Sequence, residues 1–174
     1  AQIMCWTYIY QYSEKLGISS TSAANFQFIA FILFFIGRGL GTYLLKSIKP
    51  EMLIYINSSF AIFFTCGVIF INNELGLYSL VIVSFFMSVM FPTIYGLSLK
   101  GLTEEESKLG AAGLVMAIVG GAIMPKIQGQ IIDIGGYNVD DINIIGLTEI
   151  NFSFFLPLLC FIYIFSYSII IQKK

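Results

Sequence analysis

Long apolar runs separated by brief charged interruptions dominate this chain. Ala1 to Ser13 carries no charge before Glu14 and Lys15, and Leu16 to Gly37 carries none before Arg38. Met52 to Asn73, Leu75 to Leu99, Leu109 to Pro125 and Ile150 to Gln172 are equally uncharged. A helix of about 20 mostly apolar residues crosses a ~30 Å hydrocarbon core. A membrane β-barrel would need apolar and polar positions to alternate, and they do not. Helices satisfy their backbone polar groups internally, as an open chain in lipid must. The pattern therefore predicts an all-α membrane protein of six transmembrane helices, forming one bundle over 1–174. The predicted spans are 1–13 (truncated), 23–46, 52–72, 76–99, 107–134 and 151–171. The chain opens in apolar sequence with no basic stretch ahead of it, so the first run is read as the interior of a helix, not a signal peptide.

Composition strengthens this reading and narrows the chemistry. The 174 residues are 57% hydrophobic and 11% charged, less than half the roughly 25% charge of a soluble domain. A net charge of −1 with no basic cluster excludes nucleic acid as a partner. The absence of histidine removes the usual general base, zinc ligand and Ser-His or Cys-His pairing, so the chain reads as no enzyme, with no metal and no cofactor. Cys5, Cys66 and Cys160 each lie in an apolar run without ligand spacing and are expected to pack as small hydrophobes.

Basic residues set an orientation. With six spans, one side collects Lys46, Lys49, Lys100, Lys108, Lys173 and Lys174, with Arg38 close by, and the other collects Lys15. The loops 46–51 and 100–108 and the C-terminus are thus expected in the cytoplasm of a plasma or bacterial inner membrane. The segments 14–22, 73–75 and 135–149 then face outward, including the acidic loop Gly135 to Asp141.

Packing signals lie inside the runs. Gly37 and Gly41 form a G-x-x-x-G pair, and Gly113, Ala117 and Gly121 form a small-residue stripe, positions that let helix backbones approach in lipid. Pro92, Pro125 and Pro157 fall within spans, where each removes a helix hydrogen bond. Such breaks either line a cavity or serve packing alone.

Intramembrane ionisable groups are the first candidates for chemistry, because lipid penalises them unless they are paired or hydrated. Glu14, Glu51, Glu74, Glu104, Glu105, Glu106, Asp140, Asp141 and Glu149 fall in loops or at ends, and Asp133 near the outer end of the fifth span. No carboxylate lies at the midplane, so a proton-loading group is expected elsewhere. Lys126, beside Pro125, either faces a cavity and pairs there or snorkels to the interface. Arg38 either closes a gate on helix carbonyls or an acidic partner, or meets lipid phosphate. Gln2, Trp6 and Tyr10 recur at i, i+4 and i+8 on one helix face, and Asn25 sits at the outer start of the second span. Gln128 and Gln130, two positions apart, point some 200° from each other and cannot share one cavity. Amides with an aromatic face suit a small polyhydroxylated solute such as a sugar; the alternative for each aromatic is packing or an interfacial belt.

Three stretches carry a resemblance: Ala1 to Tyr8 (AQIMCWTY), Phe34 to Thr42 (FFIGRGLGT) and Phe86 to Tyr95 (FMSVMFPTIY). Together with Gly120 to Ile123 and the later Asp133, they resemble the fucose permease family of the major facilitator superfamily, in order and over nearly the whole chain. The resemblance implies the C-terminal six-helix half of a twelve-helix major facilitator fold. It implies proton-coupled symport of a monosaccharide (fucose, or a glucose- or galactose-like sugar) by alternating access. The proton-binding carboxylates would lie in the N-terminal six-helix half, the partner of this bundle. In that family a cavity tyrosine precedes the Pro-Thr pair; here Phe91 stands there, and Tyr95 one turn on could restore a hydroxyl. The substrate wall is expected to comprise Gln2, Trp6, Asn25, Phe91, Tyr95 and Gln128, with Arg38, Lys126, Pro92 and Pro125 in gating or structural roles. A non-transporting membrane protein (sugar sensor, scaffold or decayed half-transporter) is the alternative; a six-span homodimer ranks lower.

Overall fold

Polar side chains cap three of the long apolar helices at their starts. The computed structural model describes residues 1–134, 143–144 and 146–172. Helix α1 (Gln2–Thr7) continues after a break at Tyr8 into α2 (Ile9–Lys15). Ser19 Oγ accepts the Ser22 N–H and caps α3 (Ser20–Leu44), which starts three residues earlier than the predicted span because of that cap. Pro50 opens α4 (Pro50–Phe70), and Asn73 Oδ1, accepting the Leu75 N–H at 2.8 Å, caps α5 (Glu74–Met87). Next comes α6 (Met90–Leu99), followed by Gly101, whose φ of 84° makes a turn that side chains disfavour. A capping box between Thr103 and Glu106 starts α7 (Glu104–Met116). A 3-10 turn (Ala117–Val119) joins α7 to α8 (Gly120–Ile132).

A short hairpin, β1 (Asn143–Ile144) with β2 (Leu147–Thr148), is the only strand pairing among the described residues. Then come α9 (Glu149–Ser153) and α10 (Phe155–Gln172). The acidic stretch Gly135 to Asp141 and the terminal Lys173 and Lys174 lie outside the described residues.

Among the described residues, five helical stretches are long and apolar enough to cross a membrane: 20–44, 50–70, 74–99, 104–132 and 149–172. Three of them are broken, each upstream of a proline. Proline lacks the N–H that would bond four residues back, so Pro92 frees the Ser88 carbonyl at the α5–α6 break. Pro157 likewise frees Ser153, beside the α9–α10 break at Phe154. Pro125 lies inside α8, and the break above it is the 3-10 turn at 117–119.

Helix α4 lies at the centre, packed against α5 and α10, with α3 on the far side of α5. Val68, Ile69, Leu77, Leu80, Val83, Phe154 and Phe161 are fully enclosed there, with Cys5 and Ile9 from the N-terminal helices. The three cysteines are free, Cys5 buried and the others half-buried, as small hydrophobes would be. Asn57, Ser58 and Thr65 on α4 donate back to Leu53, Ile54 and Ala61, so its buried polar groups are satisfied within the helix.

The Gly37/Gly41 pair marks a close approach of α3 to the α5–α6 break. A Cβ on Gly37 would meet the Phe85 carbonyl and Ser88 Oγ, and one on Gly41 would overlap Val89. The second stripe differs: nothing lies within 4 Å of a Cβ at Gly113, and Gly121 meets only the tip of Ile3. Glu149 also differs from expectation, for it is 7% exposed with a buried Oε1 lacking a partner among the described residues. Because α9 packs against both α4 and α8, its first residue is enclosed instead of solvated.

Candidate functional site

The broken helices meet around a cavity of ≈ 500 Å³, within the range that holds small ligands. Helix α1 contributes Gln2, Ile3 and Trp6 to its wall. The α5–α6 break contributes Met87, Met90 and Phe91, and α10 contributes Phe161 and Ile164. The 3-10 turn and the start of α8 close another side with Ala117, Ile118 and Gly121.

The wall is mostly apolar, with the Gln2 amide as its polar side chain besides the indole. Trp6 is held on three sides. Its Nε1 donates to Ser84 Oγ at 3.2 Å, and the rings of Phe31 and Phe34 stand nearly perpendicular to it at 4.9 and 5.0 Å. Phe91 is 46% exposed, and the Tyr95 ring lies 6.2 Å from it, one turn along α6.

The fold thus brings Gln2, Trp6 and Phe91 together, with Tyr95 behind. Asn25 does not join them; it is exposed near the start of α3. Gln128 is fully buried between α8 and α9, where its Nε2 donates to Ser153 Oγ at 3.1 Å and its Oε1 has no partner among the described residues. Tyr10, expected on the face of Gln2 and Trp6, is 39% exposed and outside the cavity. The Tyr8 break, with φ −102° and ψ 6°, shifts the helical phase between them.

Neither charged candidate lines the cavity. Arg38 Nη1 donates to the Ser88 carbonyl at 3.5 Å, the oxygen that Pro92 leaves without a helix donor. Lys126 is exposed on α8. Pro125 lends its carbonyl to the Tyr8 hydroxyl at 2.6 Å, which ties the first helix break to α8. A second cavity, ≈ 570 Å³, lies at the α3–α4 turn beside Lys49, Glu51 and Gln172 and has no aromatic wall.

Two groups of contacts were not expected. Asn151 Nδ2 donates to the Val68 carbonyl at 2.7 Å and the Ile69 carbonyl at 3.3 Å, at the end of α4. Tyr12 Oη joins it, donating to the Ile71 carbonyl at 3.0 Å. Together they satisfy carbonyls that a helix end leaves open. Ser84 was the other omission, and its only signal in sequence is a hydroxyl one turn before Ser88 in an otherwise apolar run.

No family model matches the chain. It is 50% identical over 166 residues to an L-fucose-proton symporter of Haemophilus influenzae, covering 95% of this chain and 37% of that relative. It is 32% identical over 170 residues to an L-fucose-proton symporter of Escherichia coli, covering 97% and 36%. A glucose/galactose transporter of Brucella abortus is 31% identical over 158 residues, with 91% and 35% covered. Among solved structures, it is similar to the crystal structure of FucP, a major facilitator superfamily transporter in the outward conformation. That match has a TM-score of 0.84 and 30% identity, covering 96% of this chain and 38% of that one. Each of these relatives is named for transport and none for catalysis. Over nearly all its length, therefore, this apolar helical chain is homologous to the fucose permease family of the major facilitator superfamily, and it spans little more than a third of such a molecule.

Proposed function

We propose that this chain is the C-terminal six-helix half of a twelve-helix, proton-coupled monosaccharide symporter that works by alternating access. The observation that carries the reading is the cavity at the helix breaks, where Gln2, Trp6 and Phe91 converge. Aromatic faces there cover the C–H surface of a pyranose, and the Gln2 amide bonds its hydroxyls. Tyr95 supplies a further hydroxyl one turn from Phe91.

The other half of the passage is an N-terminal six-helix bundle. The stretch 104–132 has none of its most apolar window buried, and 20–44 has 17%, which supports a partner surface and lipid around them. Proton coupling rests with a carboxylate of that partner bundle. This fits a described bundle whose one buried carboxylate, Glu149, lies at the first turn of α9 and away from the cavity. The lysine distribution supports cytoplasmic placement of the 46–51 and 100–108 loops and the C-terminus. Arg38 on the Ser88 carbonyl and Tyr8 on the Pro125 carbonyl then hold the two breaks on the cytoplasmic and outer sides of the cavity.

Uptake of labelled L-fucose, glucose and galactose by cells carrying the full-length carrier tests this reading. One of these sugars is expected to accumulate above its external concentration, and a proton uncoupler to abolish the gradient. Accumulation of none of them, or a gradient that survives the uncoupler, overturns it. Replacing Phe91 with Ala should raise KM by about tenfold, since a stacked ring contributes roughly 1–1.5 kcal/mol. An unchanged KM would remove Phe91 from the sugar wall.

A further inference from the structure

Trp6 has one hydrogen-bond donor, and that donor is already committed. An indole N–H pointing into a polar cavity would seek water or a sugar hydroxyl, and the plane of the ring would follow it. Here the N–H is taken by Ser84 Oγ at 3.2 Å, and Ser84 itself is fully buried. Phe31 and Phe34 on α3 stand across the ring, with interplanar angles of 84° and 76°. These edge-to-face contacts pack the indole, and the Ser84 bond fixes the direction of its N–H.

Ser84 belongs to α5, one turn before the break at Ser88. It sits on α5, which packs against both α3 and α4, whereas Phe91 lies beyond the break on α6. The indole is thus referenced to the packed core, although the wall it joins includes the segment past the break.

We propose that Ser84 is a positioning residue for sugar recognition: by holding the Trp6 N–H, it presents the indole as a fixed apolar platform. This rests on the monosaccharide reading of the cavity above. Trp6 then meets the C–H face of the pyranose, and recognition of hydroxyls falls to Gln2 and to groups outside this wall. Fixing the platform before the sugar arrives removes an ordering penalty from binding.

Uptake kinetics in the full-length carrier, with labelled L-fucose, glucose and galactose, test the assignment. Ser84→Ala is expected to raise KM about fivefold, the effect of losing one hydrogen bond, and to leave the maximal rate unchanged. In a Trp6→Phe background, which has no N–H to hold, Ser84→Ala should change KM by less than about 1.5-fold, because the coupled pair is already broken. Replacing Trp6 with benzothienylalanine, the same ring shape with sulfur in place of N–H, should reproduce the Ser84→Ala phenotype while Ser84 stays native. That substitution keeps the test decisive if Ser84→Ala fails to fold. An unchanged KM in either single variant, or an equal rise from Ser84→Ala in the Trp6→Phe background, overturns the positioning role. Wild-type carrier that accumulates none of the three sugars instead overturns the functional reading, and this proposal with it.

Discussion

Gly37 and Gly113 both begin a small-residue stripe on a membrane-length helix, and they end in opposite surroundings. The first is pressed against the Phe85 carbonyl and Ser88 Oγ, while the second has nothing within 4 Å of a Cβ. The stretches that carry them, 20–44 and 104–132, are both little buried; what differs is the surface each glycine meets. The motif is the same in both places, so its meaning depends on whether the surface it was shaped for belongs to this chain. A seam closed within the bundle reports folding; the open one is the surface left for the proposed partner bundle.

Substitutions can break or sharpen that contrast. The largest effect is expected from Gly41→Leu, whose side chain would overlap Val89. It should lower stability by about 3 kcal/mol or prevent insertion, read from denaturant midpoints in detergent. Asn151→Leu comes next. It strips donors from the buried Val68 and Ile69 carbonyls and should cost about 2 kcal/mol in the same measurement. Tyr8→Phe, which loses only the bond to the Pro125 carbonyl, should cost about 1 kcal/mol. Gly113→Leu should shift the midpoint by no more than about 0.5 kcal/mol yet abolish uptake by the full-length carrier, because it obstructs the open seam alone. A large loss of stability at Gly113, or none at Gly41, would erase the distinction.

The sequence made the helices legible and their interruptions less so. Uncharged runs identify apolar stretches directly, since lipid tolerates little else. The positions of the breaks follow from Pro92 and Pro157, but their geometry depends on what takes the released carbonyl, and Arg38 comes from another helix to do so. Periodicity linked Gln2, Trp6 and Tyr10, yet the turn at Tyr8 resets the phase and Tyr10 leaves the group. Gln128 shows a different limit. Its amide suits a sugar or a helix contact equally, and only the rotation of α8 against α9, absent from local sequence, directs it to Ser153. Glu149 looked like a loop residue because α9 is a single short turn, too brief to leave a hydrophobic signature of its own.

Trp6 is the only tryptophan in the chain, and it lines the cavity. All the indole fluorescence this segment contributes therefore originates at the proposed solute wall. Its emission wavelength and its accessibility to aqueous quenchers register wetting and occupancy of that wall, so this chain carries its own optical probe without chemical labelling.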